Sequence, residues 1–193
     1  GLRKMTHPRT ATRGNQISAL GLALAVGVTV LWYDILSPVV LLAALVVGAT
    51  IGTALATRVD LTEMPQLVGL FNGLGGGASA LVAGAELVDR FHSVGIGALQ
   101  TDLLAAAALA GLVGALTFWG SLVAAAKLQG YYEAPLRYPG EPYVKAGVSL
   151  LAVAAALVLV IRPGIVGDVF RIEWVPAYWA VVAIASVLGV LLI

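Results

Sequence analysis

Residues 62–86 read TEMPQLVGLFNGLGGGASALVAGAE, and the reading of this stretch decides the fold. From Leu67 to Gly84 no residue is charged, a run long enough for most of a membrane crossing. Yet the run contains Asn72, Ser79 and the glycines Gly69, Gly73, Gly75, Gly76, Gly77 and Gly84. An unpaired amide in hydrocarbon is costly, so a lipid-facing helix has no use for Asn72. Glycine weakens a helix unless a neighbouring backbone must come close. A helix inside a bundle answers both points, with glycines such as Gly73, Gly76 and Gly77 against partner helices. At 100° per residue, Asn72, Gly76, Ser79, Ala83 and Glu86 then share one face, a small polar stripe. This is the helix expected to carry function.

The rest of the composition agrees with a membrane setting. The chain is 60% hydrophobic and 11% charged, with mean hydropathy +0.98. These values describe a polytopic membrane protein and exclude an ordinary soluble domain. A formal charge of +1 gives no support to nucleic-acid binding. The absence of cysteine rules out disulfides and thiolate metal sites. His7 and His92 fall in charged sequence without the further ligands that a zinc site needs. No signal-peptide pattern opens the chain. It begins abruptly and stops within an apolar run, so a fragment of a longer subunit is expected.

Six helices are expected, over about 17–32, 38–57, 64–86, 102–127, 146–161 and 176–193: an all-α, polytopic transmembrane helix bundle. Residues 1–16, with Arg3, Lys4, Arg9 and Arg13 and no acid, read as a basic cytoplasmic connector. Trp32 and Tyr33 suit a membrane interface, and Ser37-Pro38 suits a helix start. Ala44, Gly48, Gly52 and Ala56 recur every four residues, a ridge read as helix packing. Pro65 falls in a first helical turn, where its missing N–H costs little. Thr101-Asp102 is placed to cap the fourth helix, which ends before Gly130. Trp174, Tyr178 and Trp179 read as an interfacial aromatic belt. If loops alternate sides, eight basic residues fall with the N-terminus and three, Arg90, Arg162 and Arg171, fall opposite. The positive-inside rule then makes the N-terminus cytoplasmic. No long internal repeat is visible.

Few motifs carry chemistry. Gly73-Leu74-Gly75-Gly76-Gly77-Ala78 matches the dinucleotide pattern G-x-G-x-x-G/A, but that fingerprint needs a strand–turn–helix unit, and here apolar sequence continues on both sides. No phosphate loop, hydrolase triad or H-E-x-x-H run is present. Thr117 and Ser121 lie one turn apart; from spacing alone, hydroxyls bonded back to the preceding turn are the simpler expectation. Asn72 by itself divides evenly between function and interhelical bonding, the latter contributing about 0.6–2 kcal/mol. Glu86 and Asp102 bracket an outer loop and mark a candidate proton entrance, although acids at helix ends are commonly solvated caps.

The stretch TEMPQLVGLFNGLGGGASALVAG, followed by LTFWGSLVAAAKLQG at 116–130, resembles the membrane domain of the proton-translocating NAD(P) transhydrogenase β subunit. The resemblance covers nearly the whole chain in helix order and loop length. It is specific at Glu63-Met64-Pro65, at the run Thr117–Ser121, and at the basic segment, which in the family follows a first helix absent here. It implies that residues 17–193 are a transmembrane proton-channel domain coupling proton flow to hydride transfer from NADH to NADP⁺. The NAD(H) and NADP(H) cofactors would be held by soluble domains outside this fragment, which itself binds no cofactor and no metal. Implied partners are membrane lipid, α-subunit membrane helices with their soluble NAD(H) domain, a C-terminal NADP(H) domain and a second copy of the assembly. The setting implied is a bacterial-type inner membrane.

Many family members carry histidine at the position matching Asn72, and that residue is implicated in proton transfer. An amide cannot take and release a proton at ordinary pH, so a water-holding or gating role is expected here. The resemblance also places Ser121 near the proton path, joining Asn72, Ser79 and Glu86 as the candidate pathway residues. Two other classes stay open on the residues alone. A secondary transporter or small-ion channel would use a helix break at Gly73–Gly77. A purely structural scaffold would use the glycines for packing alone.

Overall fold

The computed structural model describes residues 2–33, 38–94, 100–131, 139–161 and 174–193. Its regular structure is helical: α1 (Leu2–Met5), α2 (Pro8–Tyr33), α3 (Pro38–Arg58), α4 (Met64–Val94), α5 (Thr101–Leu128), α6 (Glu141–Ile161) and α7 (Trp174–Leu191), with a 3₁₀ turn, Leu61–Glu63, leading into α4. The expected all-α membrane bundle is therefore the observed class. Five of the helices are long and apolar enough to cross a membrane, and α7 adds a shorter apolar segment over Ala177–Leu191.

Several helices run past the expected ends. α2 begins at Pro8 instead of residue 17, α4 continues to Val94 instead of residue 86, and α6 begins at Glu141 instead of residue 146. The reason is common to all three. Charged residues end a membrane crossing, but arginine, glutamate and lysine are good helix formers and do not end a helix. Beyond Glu86, α4 is supported by the Arg90–Glu86 ion pair at 2.8 Å and by the Ser93 hydroxyl donating to the Asp89 carbonyl at 3.0 Å. In α6 the Lys145–Glu141 pair, at 2.7 Å, does the same. At 31 residues α4 is about 46 Å long, against roughly 30 Å of hydrocarbon, so it tilts or projects beyond the bilayer.

The expected cap at Thr101 is not made. Gln100 occupies the N-cap position without a side-chain bond, and the Asp102 carboxylate instead accepts the Leu103 N–H at 2.9 Å. The other end of α5 matches expectation. Gly130 has φ +79°, and the Tyr131 N–H reaches back to the Ala126 carbonyl at 3.2 Å, the Schellman closure that a left-handed glycine allows. The Ser37 cap, the loops 132–138 and 162–173, and the side chains of Trp32, Tyr33 and Trp174 lie outside the described residues.

The chain divides into two compact units, 1–58 and 59–193. In the first, α2 and α3 present leucine and valine outward along their length, as helices bathed in lipid do. A Cβ built at Gly48 or Gly52 would meet nothing within 4 Å. Within this unit the small-residue ridge of α3 is therefore not packed at Gly48 and Gly52.

The second unit is organised on glycine. Along the α4–α5 seam Gly69 faces Ala125, Gly73 faces Phe118 and Ser121, and Gly76 faces Gly114, so the two helices run antiparallel. Gly111 meets Tyr178 and Gly120 meets Gly189, so α7 lies parallel to α5. Leu87, Leu104, Ala107, Ala108, Leu159, Tyr178 and Val181 form the buried cluster where α4, α5, α6 and α7 come together. Tyr178 is 1% exposed, which removes it from the expected aromatic belt. Its ring fills the space that Gly84 and Gly111 leave, and its hydroxyl finds a backbone acceptor inside the bundle.

Candidate functional site

The closest approach of α4 and α5 is at Gly76 and Gly114. A Cβ on Gly76 would lie 2.7 Å from the Gly114 carbonyl oxygen, and one on Gly114 would lie 2.5 Å from that of Gly76. Neither position tolerates a side chain unless the helices separate. A Cβ on Gly73 would sit 3.2 Å from the Phe118 carbonyl oxygen, and one on Gly77 would meet the Phe118 ring at 2.8 Å. Gly75 points away, with nothing within 4 Å of its Cβ position. The glycine-dense run is continuous helix throughout. It contains neither the strand–turn–helix that a dinucleotide requires nor the break that a transporter site uses.

This proximity lets a short side chain cross the seam. The Asn72 amide nitrogen donates to the Ser121 hydroxyl oxygen at 2.9 Å. Two residues singled out on separate helices are thus brought together. No bond from the Ser121 hydroxyl to its own preceding turn is seen among the described residues; its oxygen instead accepts from Asn72. The Asn72 carbonyl oxygen is left without a protein partner among the described residues.

From this pair a groove follows the α4–α5 seam. One stretch is lined by Asn72, Gly76 and Ser79 of α4 and by Ala110, Gly114 and Thr117 of α5. The next is lined by Ser79, Ala83 and Glu86, with Leu103, Ala106, Ala107 and Ala110 opposite. Ser79 and Ala110 belong to both, so the two stretches join end to end. The stripe Asn72, Gly76, Ser79, Ala83, Glu86 is therefore one wall of one groove. The stretch from Asn72 to Ser79 carries the polar groups Asn72, Ser79 and Thr117 among apolar neighbours such as Phe71 and Val113, and the portion between Ser79 and Glu86 is apolar.

The two remaining candidates hold more local bonds. The Ser79 hydroxyl donates back to the Gly75 carbonyl at 3.0 Å. Glu86 is exposed and takes the Arg90 guanidinium at 2.8 Å, which draws its carboxylate toward the helix end and away from Ser79. Asp102 is occupied with its own helix start. His92 has Nδ1 2.7 Å from the Val88 carbonyl oxygen. Among the described residues no group of three or more His, Asp or Glu side chains is arranged to hold a metal ion.

Sequence reasoning missed some of the parts. Gly111 and Gly189 are contact points between helices, and Tyr178 is an interior anchor. Gln66, placed in the first turn of α4, donates to the Leu128 carbonyl at 3.1 Å and closes the end of α5. The spacing of Gly111 and Gly114 was a usable signal for the first group. For Tyr178 the signal was ambiguous, since tyrosine serves equally well at an interface or as a buried ring with a bonded hydroxyl.

The fold and groove define an integral membrane protein whose glycine-packed helices carry a small set of polar groups along one seam. The family model of the NAD(P) transhydrogenase beta subunit matches residues 1–193, and the chain belongs to that family. It is similar to the NAD(P) transhydrogenase subunit beta of Rhodospirillum rubrum, 37% identical over 141 residues, which are 72% of this chain and 30% of that subunit. A second Rhodospirillum rubrum sequence gives the same match. The chain thus spans about a third of the length of the curated relatives it matches.

Proposed function

We propose that this chain is the proton-conducting membrane part of an NAD(P) transhydrogenase, coupling proton flow across the membrane to hydride transfer from NADH to NADP⁺ in soluble domains of the assembly. The observation that carries the reading is the Asn72–Ser121 hydrogen bond, which joins two apolar helices across their seam at the head of the groove, on a side that this chain leaves exposed. Neither an amide nor a serine hydroxyl ionises at ordinary pH. Protons therefore pass along waters that these groups hold, with Asn72 as a hydrogen-bonding group and not a carrier. Ser79 extends the polar wall, and Glu86 stands at the far mouth.

Coupling follows alternating access. The nucleotide state of the soluble domains shifts the helices and changes which side hydrates the groove. The partners on this reading are α-subunit membrane helices, an NAD(H) domain, a C-terminal NADP(H) domain and a second copy of the assembly. The membrane is a bacterial inner membrane, with the N-terminus on the cytoplasmic side. The test is Asn72→Leu in the complete enzyme, assayed for proton translocation in membrane vesicles. Full activity in a folded complex would defeat the reading.

A further inference from the structure

Thr117 differs from most hydroxyls of these helices: like Ser18 and Thr53 it lacks a bond back to the preceding turn, and of these three it is the one that lines the groove. The hydroxyls of Thr29, Thr50, Thr57, Ser79, Ser149 and Ser186 each donate to the carbonyl four residues back. That is the ordinary way to satisfy a hydroxyl in a membrane helix. Thr117 makes no such bond, and its hydroxyl has no hydrogen-bond partner among the described residues. It is half-buried, it lines the groove with Asn72 and Ser79, and its Cβ lies 2.8 Å from where a Gly76 side chain would begin.

The spacing along the seam gives this hydroxyl a task. Asn72 and Ser121 are bonded at one level, and Ser79 lies seven residues further along α4, about 10 Å at 1.5 Å per residue. One bridging water spans roughly 5.5 Å between its two partners, so that gap is too long for a single water. Thr117 is one turn from Ser121, about 6 Å, at the level of Gly76. It divides the gap into two steps, each the length of one water. We infer that Thr117 is a positioning residue of the proton path, holding one water toward the Asn72–Ser121 pair and a second toward Ser79.

This inference rests on the proton-path reading, and the experiment separates the two. Thr117→Val keeps the shape and removes the hydroxyl, Thr117→Ser keeps the hydroxyl, and Asn72→Leu tests the path itself. Each is made in the complete transhydrogenase and measured in membrane vesicles for proton translocation per amount of folded complex. The expected result is about a tenfold loss for Thr117→Val, the rate equivalent of one neutral hydrogen bond, with recovery to near the parent rate in Thr117→Ser. Equal loss in Thr117→Val and Thr117→Ser would show that the hydroxyl is not what the position supplies and overturn the inference. Loss in Asn72→Leu with a normal Thr117→Val would overturn the inference and leave the path standing. Normal rates in all three would overturn both.

Discussion

The Tyr178 hydroxyl donates to the Ala80 carbonyl oxygen at 2.5 Å, tying α7 to the middle of α4. The tyrosine ring lies between two glycines: a Cβ on Gly84 would meet one ring edge at 2.9 Å, and one on Gly111 would meet the other at 2.7 Å. One aromatic side chain thus locks three helices. It does so two turns from Asn72, which holds the path-bearing part of α4 at a defined depth against α5.

Replacing this lock in two ways separates its ring from its hydroxyl. Tyr178→Phe keeps the ring, and Ala80 retains its acceptor role within α4, so the cost is one interhelical bond, about 0.6–1.7 kcal/mol. Tyr178→Ala empties a fully buried site and is expected to cost about 3–5 kcal/mol. Thermal unfolding of the solubilised complex should show a small shift for the first and a large one for the second. Equal shifts would place the stabilisation in the hydroxyl.

The neighbours Gly75 and Gly76 should respond oppositely to the same change. Gly75→Ala meets nothing within 4 Å and gains helix propensity, roughly 0.5–1 kcal/mol. Gly76→Ala drives a methyl to within 2.7 Å of the Gly114 backbone and should cost about 1–3 kcal/mol through forced separation of the helices. Gly76→Leu should prevent assembly, whereas Leu81→Ile, on an exposed face, should be mild. Unfolding temperature and yield of assembled complex check the series. Tolerance of Gly76→Leu would show that the α4–α5 seam is not the packing contact described.

At Asn72, shape and hydrogen bonding can be varied separately. Leucine of similar bulk cannot bond to Ser121 or hold a water, so Asn72→Leu should reduce coupled turnover at least tenfold while the bundle stays folded. Asn72→His should retain activity and acquire a pH dependence near neutrality, where imidazole titrates. The sign follows from the chemistry: neutral imidazole accepts and donates, whereas imidazolium only donates. Activity of the histidine variant should therefore fall as the pH drops through that range, in a profile that the asparagine parent lacks.

Orientation is tested by labelling. Thr12 lies in the first turns of α2 and Ser93 in the last turn of α4, and both positions are exposed and open to cysteine substitution. With no native cysteine in the chain, labelling by an impermeant reagent is unambiguous. The two positions should react from opposite sides of the membrane, Thr12 from the cytoplasmic one. Labelling of both from the same side would overturn the alternation of loops.

The membrane class, the long helices and their order were legible in the sequence because hydrophobicity, Pro65 at a helix start and Gly130 at a helix end act locally. The stripe from Asn72 to Glu86 was legible too, since helical periodicity alone puts those residues on one face. Where the helices end was not: the charges at Arg9, Asp89 and Glu141 mark the edge of lipid, and a helix continues past that edge. What only the tertiary structure decided was how α4, α5 and α7 are rotated against one another. That rotation brings Asn72 to Ser121, a partner 49 residues away, buries Tyr178 against Ala80, and leaves the Thr117 hydroxyl open to the groove. A single sequence shows which residues share a helix face, but the face that meets each neighbour is set by the fit of glycines such as Gly76 and Gly114, and that fit exists only once both helices are in place.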